Sequence, residues 1–308
     1  MPRRVPLPPE LLGRPFHVQE AVDFGVTLGR LRGADLNRPF CGVRDMLGET
    51  GDLVARCSAY ATRMRGDQVF SHTTAARLWD VPLPPWIEDE PVVHVSTIGG
   101  GTRPRLPGIV GHRLVASTRC AVRRGLRVTD AGATWLQLAE VLRDDDLVIA
   151  ADHFIRIPRH PDPGDPRPHI EAEQLAMRAG RHRGRGRRSA LRAVERMREG
   201  SDSPRETRLR LALIAAGLPE PRLNLRIEAG GRFIGFGDLV YPEWKVVVEY
   251  DGEQHRLDSD QYRRDVARHE ALLEAGWVHI RESRTTPFSG PDSAVSRTRR
   301  ALALRGWR

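Results

Sequence analysis

The run Pro158–Pro168, PRHPDPGDPRP, constrains this chain more than any other stretch. Its prolines fix φ and remove backbone donors, so neither a helix nor a central strand passes through it. It reads as a linker or an extended surface loop. It divides 308 residues into two parts, each long enough to bury its own core. The expected organisation is therefore residues 1–157, a proline- and arginine-rich connection over 158–200, and residues 201–308.

Charge follows the same divisions. Lys+Arg exceed Asp+Glu by nine, and Lys245 is the single lysine. Residues 1–177 are neutral, with 22 bases and 22 acids, whereas 178–200 carry nine arginines and two glutamates. Within that segment RAGRHRGRGRR (178–188) interleaves arginine with glycine. Such a local excess suits phosphate contact better than a solvated helix face. Arg181, Arg183, Arg185, Arg187 and Arg188 are the expected DNA contacts, joined by Arg103 and Arg105 in the basic turn GGGTRPR.

Three cysteines, Cys41, Cys57 and Cys120, without a C-x-x-C pair form neither a disulfide framework nor a zinc site. The first thirteen residues lack the apolar run of a signal peptide, and no stretch approaches the length of a membrane span. A cytoplasmic protein with no membrane partner and no small-molecule cofactor is expected. The oligomeric state is not legible.

Before the prolines the pattern is mixed. SHTTAARLW (71–79) reads as a short helix capped by Ser71, with His72 part of the helix start rather than a ligand. Residues 92–97 alternate as a strand, 99–105 form a basic turn, and a second strand follows. Residues 129–142 and 147–155 read as helices. Helix, strand, basic hairpin and strand are compatible with a winged helix.

After residue 200 the order is sharper. Ser203-Pro204-Arg205-Glu206 carries an N-cap, a first-turn proline and a capping-box glutamate, and opens a helix to Gly217. Strands follow at 232–241 and 244–250, then a helix from Asp258 to about 275, a strand at 277–282 and a helix at 293–304. An α-β-β-α-β core in a mixed α/β (α+β) domain is expected.

The hairpin places chemistry on one face. With Pro242-Glu243 as a two-residue loop, Tyr241 pairs with Trp244 and Asp238 faces Val247. Glu249 is then diagonal to Asp238, and Asp251 shares that face. Converging carboxylates repel one another, and a hard divalent cation with oxygen ligands compensates them. Asp238, Glu249 and Asp251 are the expected ligands of Mg²⁺ (or Mn²⁺), which suits phosphodiester hydrolysis. His255, four residues beyond Asp251, is placed to act as general base or to orient the phosphate.

The run Asp238-x10-Glu249-Tyr-Asp251-Gly252-x-x-His255 resembles the nuclease core of the PD-(D/E)XK superfamily over about residues 200–285. Within it the similarity is greatest to the branch related to the very-short-patch-repair (Vsr) endonucleases. The resemblance implies a restriction-endonuclease-like fold and metal-dependent DNA cleavage. Asp238 would be the central ligand, Glu249 and Glu206 would support it, and His255 would assist the attacking water. One position departs from the pattern: the superfamily's lysine, two residues after Glu249, is Asp251 here. His255 or Gln254 would then replace that function. The N-terminal half is similar to the winged-helix part of AbiEi-type antitoxins through Ser71–Ala76 and Val128-Thr129-Asp130. The leading expectation is a DNA endonuclease of repair or defence. The alternative is a DNA-binding, antitoxin-like regulator whose nuclease-like domain is inactive.

Overall fold

The computed structural model describes residues 5–46, 52–251, 259–283 and 290–308, with backbone alone at 251, 259–262 and 283. The chain is mixed α/β and divides into two compact units, 1–142 with 178–190 and 143–177 with 191–308. Among the described residues, no helix is long and apolar enough to cross a membrane.

The first unit begins with β1 (Phe16–His17), α1 (Val18–Asp23) and β2 (Val43–Arg44), β1 and β2 pairing antiparallel. There follow α2 (Leu53–Ala61), β3 (Gln68–Phe70), α3 (His72–Leu78), α4 (Pro85–Glu88), β4 (Val93–Ile98), β5 (Ile109–Leu114), β6 (Cys120–Arg123), β7 (Leu126–Thr129) and α5 (Ala131–Leu138). Asp130 starts α5 as its sequence suggests, its carboxylate accepting the Ala133 N–H at 2.8 Å. Strands β3 to β7 form one sheet in the order β5-β4-β3-β7-β6.

Here the structure departs from the expected wing. Strands β4 and β5 run parallel, Val93 beside Ile109 and Ile98 beside Leu114, so the basic turn is not the tip of a hairpin. The physical reason is length. A short turn would force antiparallel pairing, whereas residues 99–108 are enough to carry the chain back along β4. Gly99 and Gly100 turn it with φ of +81° and +93°.

The second unit starts with α6 (Asp144–Ile155), which precedes the proline run yet packs beyond it. Helices α7 (Ala172–Arg181), α8 (Arg187–Arg196) and α9 (Pro204–Ala215) come next along the chain, residues 178–190 of α7, α8 and their turn belonging to the first unit. A buried ion pair holds α6 to α9: Arg210 Nη2 lies 2.9 Å from Asp152 Oδ2, and both residues are almost fully enclosed. The Thr207 hydroxyl and the Arg198 N–H also donate to Asp152, at 2.8 and 2.7 Å. A charge removed from water is tolerated when its hydrogen-bonding sites are filled in this way.

The remaining elements are β8 (Arg222–Ala229), β9 (Arg232–Tyr241), β10 (Val246–Asp251), α10 (Ser259–Glu274), β11 (Val278–Ser283) and α11 (Ala294–Leu304). The sheet order is β11-β10-β9-β8, parallel between β10 and β11 and antiparallel elsewhere. Strand β8 adds to the expected α-β-β-α-β order. Its signal was present: Leu223, Leu225 and Ile227 alternate with Arg222, Asn224, Arg226 and Glu228. A Gly230-Gly231 turn, both residues at positive φ, closes it onto β9.

Both faces of this sheet are covered. Leu239, Val246 and Val248 pack against Leu209 and Leu213 of α9 and Leu302 of α11. Ile227, Val240 and Val247 pack against Leu272 of α10. Glu249 shares strand parity with Val247 and so belongs to the α10 side. Gly235 and Gly237 face that side as Val240 does, so the alternation of β9 is broken around Asp238.

Candidate functional site

The connection between β9 and β10 sets the geometry of the site. Pro242–Trp244 form a turn of 3-10 helix and Lys245 closes it at φ +49°, so Tyr241 pairs with Val246 rather than with Trp244. Leu239 lies opposite Val248, the last pair of the β9–β10 register, and Asp238 and Glu249 are the next residues beyond it. The expected two-residue loop placed them diagonally. The longer turn shifts the register by two residues, which brings Asp238 nearer to Glu249 than the sequence implied, near enough for their charges to act on each other.

Asp238 is partly buried, and among the described residues it accepts one hydrogen bond, from the Tyr250 N–H at 3.2 Å. Burial, with the nearby carboxylates of Glu206 and Glu249, pushes its pKa up to about 8. Glu249 has opposite treatment. Burial raises it, but hydrogen bonds from His279 and Arg268 outweigh that and hold it down to about 2. His279 Nε2 lies 2.8 Å from Glu249 Oε2, and Arg268 Nη1 donates to the same oxygen at 2.9 Å. Arg268 Nη2 also donates to Glu249 Oε1 and to the Phe236 carbonyl.

The local sequence explains how Arg268 arrives there. Leu272, one helical turn later on α10, seats against Val240 and Val247 and turns that face of the helix toward the sheet. Gly235 leaves room, since a Cβ built on it would overlap the Arg268 guanidinium stem. Gly237 is equally confined, with Val240 and Val247 methyls 2.6 Å from where its Cβ would stand. His279 stands beside Val247 in the parallel register and therefore faces α10 too. Its Nδ1 lies 2.9 Å from His269 Nδ1, extending a polar chain His269–His279–Glu249–Arg268.

Glu206 fulfils its helix-capping role and also faces the acids. Its N–H donates to Ser203 Oγ at 3.2 Å, and its Oε2 accepts the Asp202 N–H at 2.9 Å. Burial raises its pKa, against hydrogen bonds to the carboxylate from the Ser203 side chain and the Asp202 N–H. Among the described residues, no three of these acids bring their ligand atoms within 4.8 Å of one another. Asp251 ends β10, but its side chain lies outside the described residues, as do His255, Gln254 and Gly252 entirely. Lys245 stays in the turn and donates to the Ala275 carbonyl at 3.1 Å, so it does not substitute for the lysine of the resembled motif.

Arg268 and His279 were not singled out from sequence. A histidine inside the strand VHIRES was the available signal for one. Nothing in the sequence distinguishes Arg268 from its neighbours Arg263 and Arg264.

The arginine segment separates into two classes. Arg178, Arg192, Arg196 and Arg198 are ion-paired, to Asp130, Asp144, Asp145 and Glu220. Arg181, Arg183, Arg185, Arg187 and Arg188, around the α7–α8 turn, are exposed and make no ion pair among the described residues. Gly186, at φ +75°, makes that turn, and a Cβ there would meet the Ala139 backbone at 2.5 Å. Arg103 and Arg105 are exposed as well. Arg103 shares a cavity of about 510 Å³ with His182, which lies between Arg181 and Arg183.

The chain is similar to the uncharacterized proteins MT2308 and Rv2248 of Mycobacterium tuberculosis (strains CDC 1551 / Oshkosh and ATCC 25618 / H37Rv). Each is 26% identical over 230 residues, which cover 74% of this chain and 79% of the relative. No family model matches the chain, and no solved structure matches it significantly.

Proposed function

We propose that the chain is a metal-dependent DNA endonuclease of repair or defence, working in the cytoplasm and built on the Vsr-like branch of the PD-(D/E)XK superfamily. One observation carries the reading: Asp238 and Glu249 adjoin on neighbouring strands, just past the last paired residues, with their pKa values driven apart. Pairs of titratable groups separated in this way mark sites of acid–base or metal chemistry. The exposed arginines around residues 181–188, with Arg103 and Arg105, would hold the DNA backbone.

The acids differ in their fit to Mg²⁺ or Mn²⁺. Asp238 fits, being a partly buried carboxyl beside two other carboxylates, whose charge Arg268 offsets only in part. Glu249 fits only on release from Arg268 or His279, and Asp251 is the third residue assigned to the ion. The cation would polarise a phosphate and acidify a bound water. Asp238 would bind it after losing its proton, Glu206 would add negative potential, and His255 would accept a proton from water.

A second reading is favoured by a specific contact. With both Glu249 oxygens engaged by Arg268 and His279, the C-terminal unit of an antitoxin-like DNA-binding regulator would be internally neutralised and inactive. A cleavage panel separates the two, using duplex, mismatched and single-stranded DNA and RNA with Mg²⁺, Mn²⁺ or chelator. Metal-dependent cutting of DNA that Asp238→Ala abolishes supports the nuclease. DNA binding without cutting supports the regulator.

A further inference from the structure

Among the described residues, one group of three metal-ligating side chains has its ligand atoms within 4.8 Å of one another: His72, His94 and His112, in the first unit. His72 opens α3 at φ +53°, a left-handed backbone uncommon outside glycine. Its N–H donates to Gln137 Oε1 at 2.7 Å, which holds it there. His94 lies on β4 and His112 on β5, in a register that sets His112 beside Ser96, two residues from His94. Both therefore face the same side. His94 Nδ1 is 2.9 Å from His112 Nε2, and the rings of His72 and His112 stack with centroids 3.7 Å apart.

The outward nitrogens of two rings already have partners. Glu90 Oε1 is 3.1 Å from His94 Nε2, while Glu90 Oε2 accepts the Thr73 hydroxyl at 2.7 Å and is fixed by it. Ser71 Oγ is 2.9 Å from His72 Nδ1 and 2.6 Å from Ser96 Oγ. A carboxylate on the far nitrogen selects the tautomer that turns the other lone pair inward, which is how metal-bound histidines are oriented. Burial and the neighbouring rings push His72 down to about 3; burial, His94 and Arg103 push His112 down to about 4.

We propose that His72, His94 and His112 form a three-histidine site for Zn²⁺ or a similar borderline divalent cation. Imidazole nitrogens select such ions over Mg²⁺ or Ca²⁺, which take oxygen ligands. Tetrahedral bonds of 2.0–2.1 Å hold ligand atoms about 3.4 Å apart, within the spread seen here. Three protein ligands leave a fourth position for water or an anion. His72 and His112 line the cavity of about 510 Å³ that Arg103, Arg113 and His182 also border, which gives an oxyanion both access and positive charge.

The test is a Zn²⁺ titration of the chelator-treated full chain, read by bound equivalents and Tm, with Co²⁺ as a spectroscopic probe. A single Zn²⁺ per chain, a raised Tm and a visible tetrahedral Co²⁺ band are expected, and Mg²⁺ should not displace the ion. His94→Gln and His112→Gln should each abolish the bound equivalent. Glu90→Gln should retain it with affinity weakened about 10- to 100-fold, and Asp238→Asn should leave it unchanged. Should a glutamine variant not fold, ring-proton resonances of the Co²⁺-loaded native chain decide, with paramagnetic shifts expected from three histidines. No retained Zn²⁺, an equivalent that survives both glutamine substitutions, or shifts from fewer than three rings overturns the site.

Discussion

Asp238 and Glu249 adjoin just past the last paired residues of β9 and β10, yet one carboxyl is held up to about 8 and the other down to about 2. The difference is a matter of partners. Arg268 and His279 both reach Glu249, while Asp238 has the Tyr250 N–H and two acidic neighbours. The pair thus holds one proton near neutrality, and that proton has measurable consequences.

Asp238 has a folded pKa above its unfolded value, so its stabilising contribution is present below about pH 4 and is lost as pH rises toward 8. Metal-free protein should lose stability across that window, by at most about 1.4 kcal/mol per pH unit from this group. Asp238→Asn should flatten the dependence and melt higher than wild type at pH 8. Superimposable Tm–pH profiles for the two proteins would refute the shift. If Mg²⁺ binds there, calorimetry in buffers of different ionisation heat should register proton release at pH 7.

Glu249 works in the opposite sense. Its depressed pKa contributes stability above about 4.5 that is lost as pH falls toward 2. Arg268→Ala should cost about 1–3 kcal/mol at pH 7, as expected for a charged hydrogen bond removed at a largely enclosed site. It should also shrink that acid-side loss. Gly235→Val should have a similar effect by displacing the Arg268 side chain. Urea denaturation at pH 3 and pH 7 checks both variants, and equal wild-type and Arg268→Ala differences between the two pH values would count against the pairing.

The Asp152–Arg210 pair between α6 and α9 should be among the most sensitive places in the second unit. Arg210→Met leaves a buried carboxylate with two hydrogen bonds and no countercharge, at a cost of about 3–5 kcal/mol. Adding Asp152→Leu should recover much of the loss. Chemical denaturation of the two variants tests this, and a single variant as stable as wild type would show that the pair is not enclosed.

The five exposed arginines of the α7–α8 turn should act on DNA through phosphate charge. Replacing Arg181, Arg183, Arg185, Arg187 and Arg188 with glutamine should lower the slope of log affinity against log salt by roughly 0.9 for each phosphate contact removed. The fold should not change, because none of them is ion-paired among the described residues. Filter binding from low to moderate salt reads the slope, and an unaltered slope would remove these residues from the interface.

Much of the second unit is legible in the sequence because its elements are bounded by local chemistry. The Ser203–Glu206 box starts α9, Ser293 caps α11, and β9 covers the expected residues 232–241. The parity of Glu249 was legible, whereas the break in β9 around Asp238 was not. What was hidden depends on tertiary contact. Arg268 reaches Glu249 across a helix-to-sheet packing that no local period encodes, and the direction of β5 depends on where a ten-residue connection returns the chain. The histidine triad was missed for the same reason, its members coming from one helix and two strands of different local pattern.

The turn at 242–245 carries a constraint on how chains of this kind can vary in length. A single inserted residue that re-registers β10 would preserve the hairpin but send Glu249 to the face away from α10, stranding it among the wrong neighbours. Two inserted residues would leave it on the α10 side. Lengthening here is therefore tolerated in pairs, a counting rule imposed by one carboxyl on a segment that does not contain it.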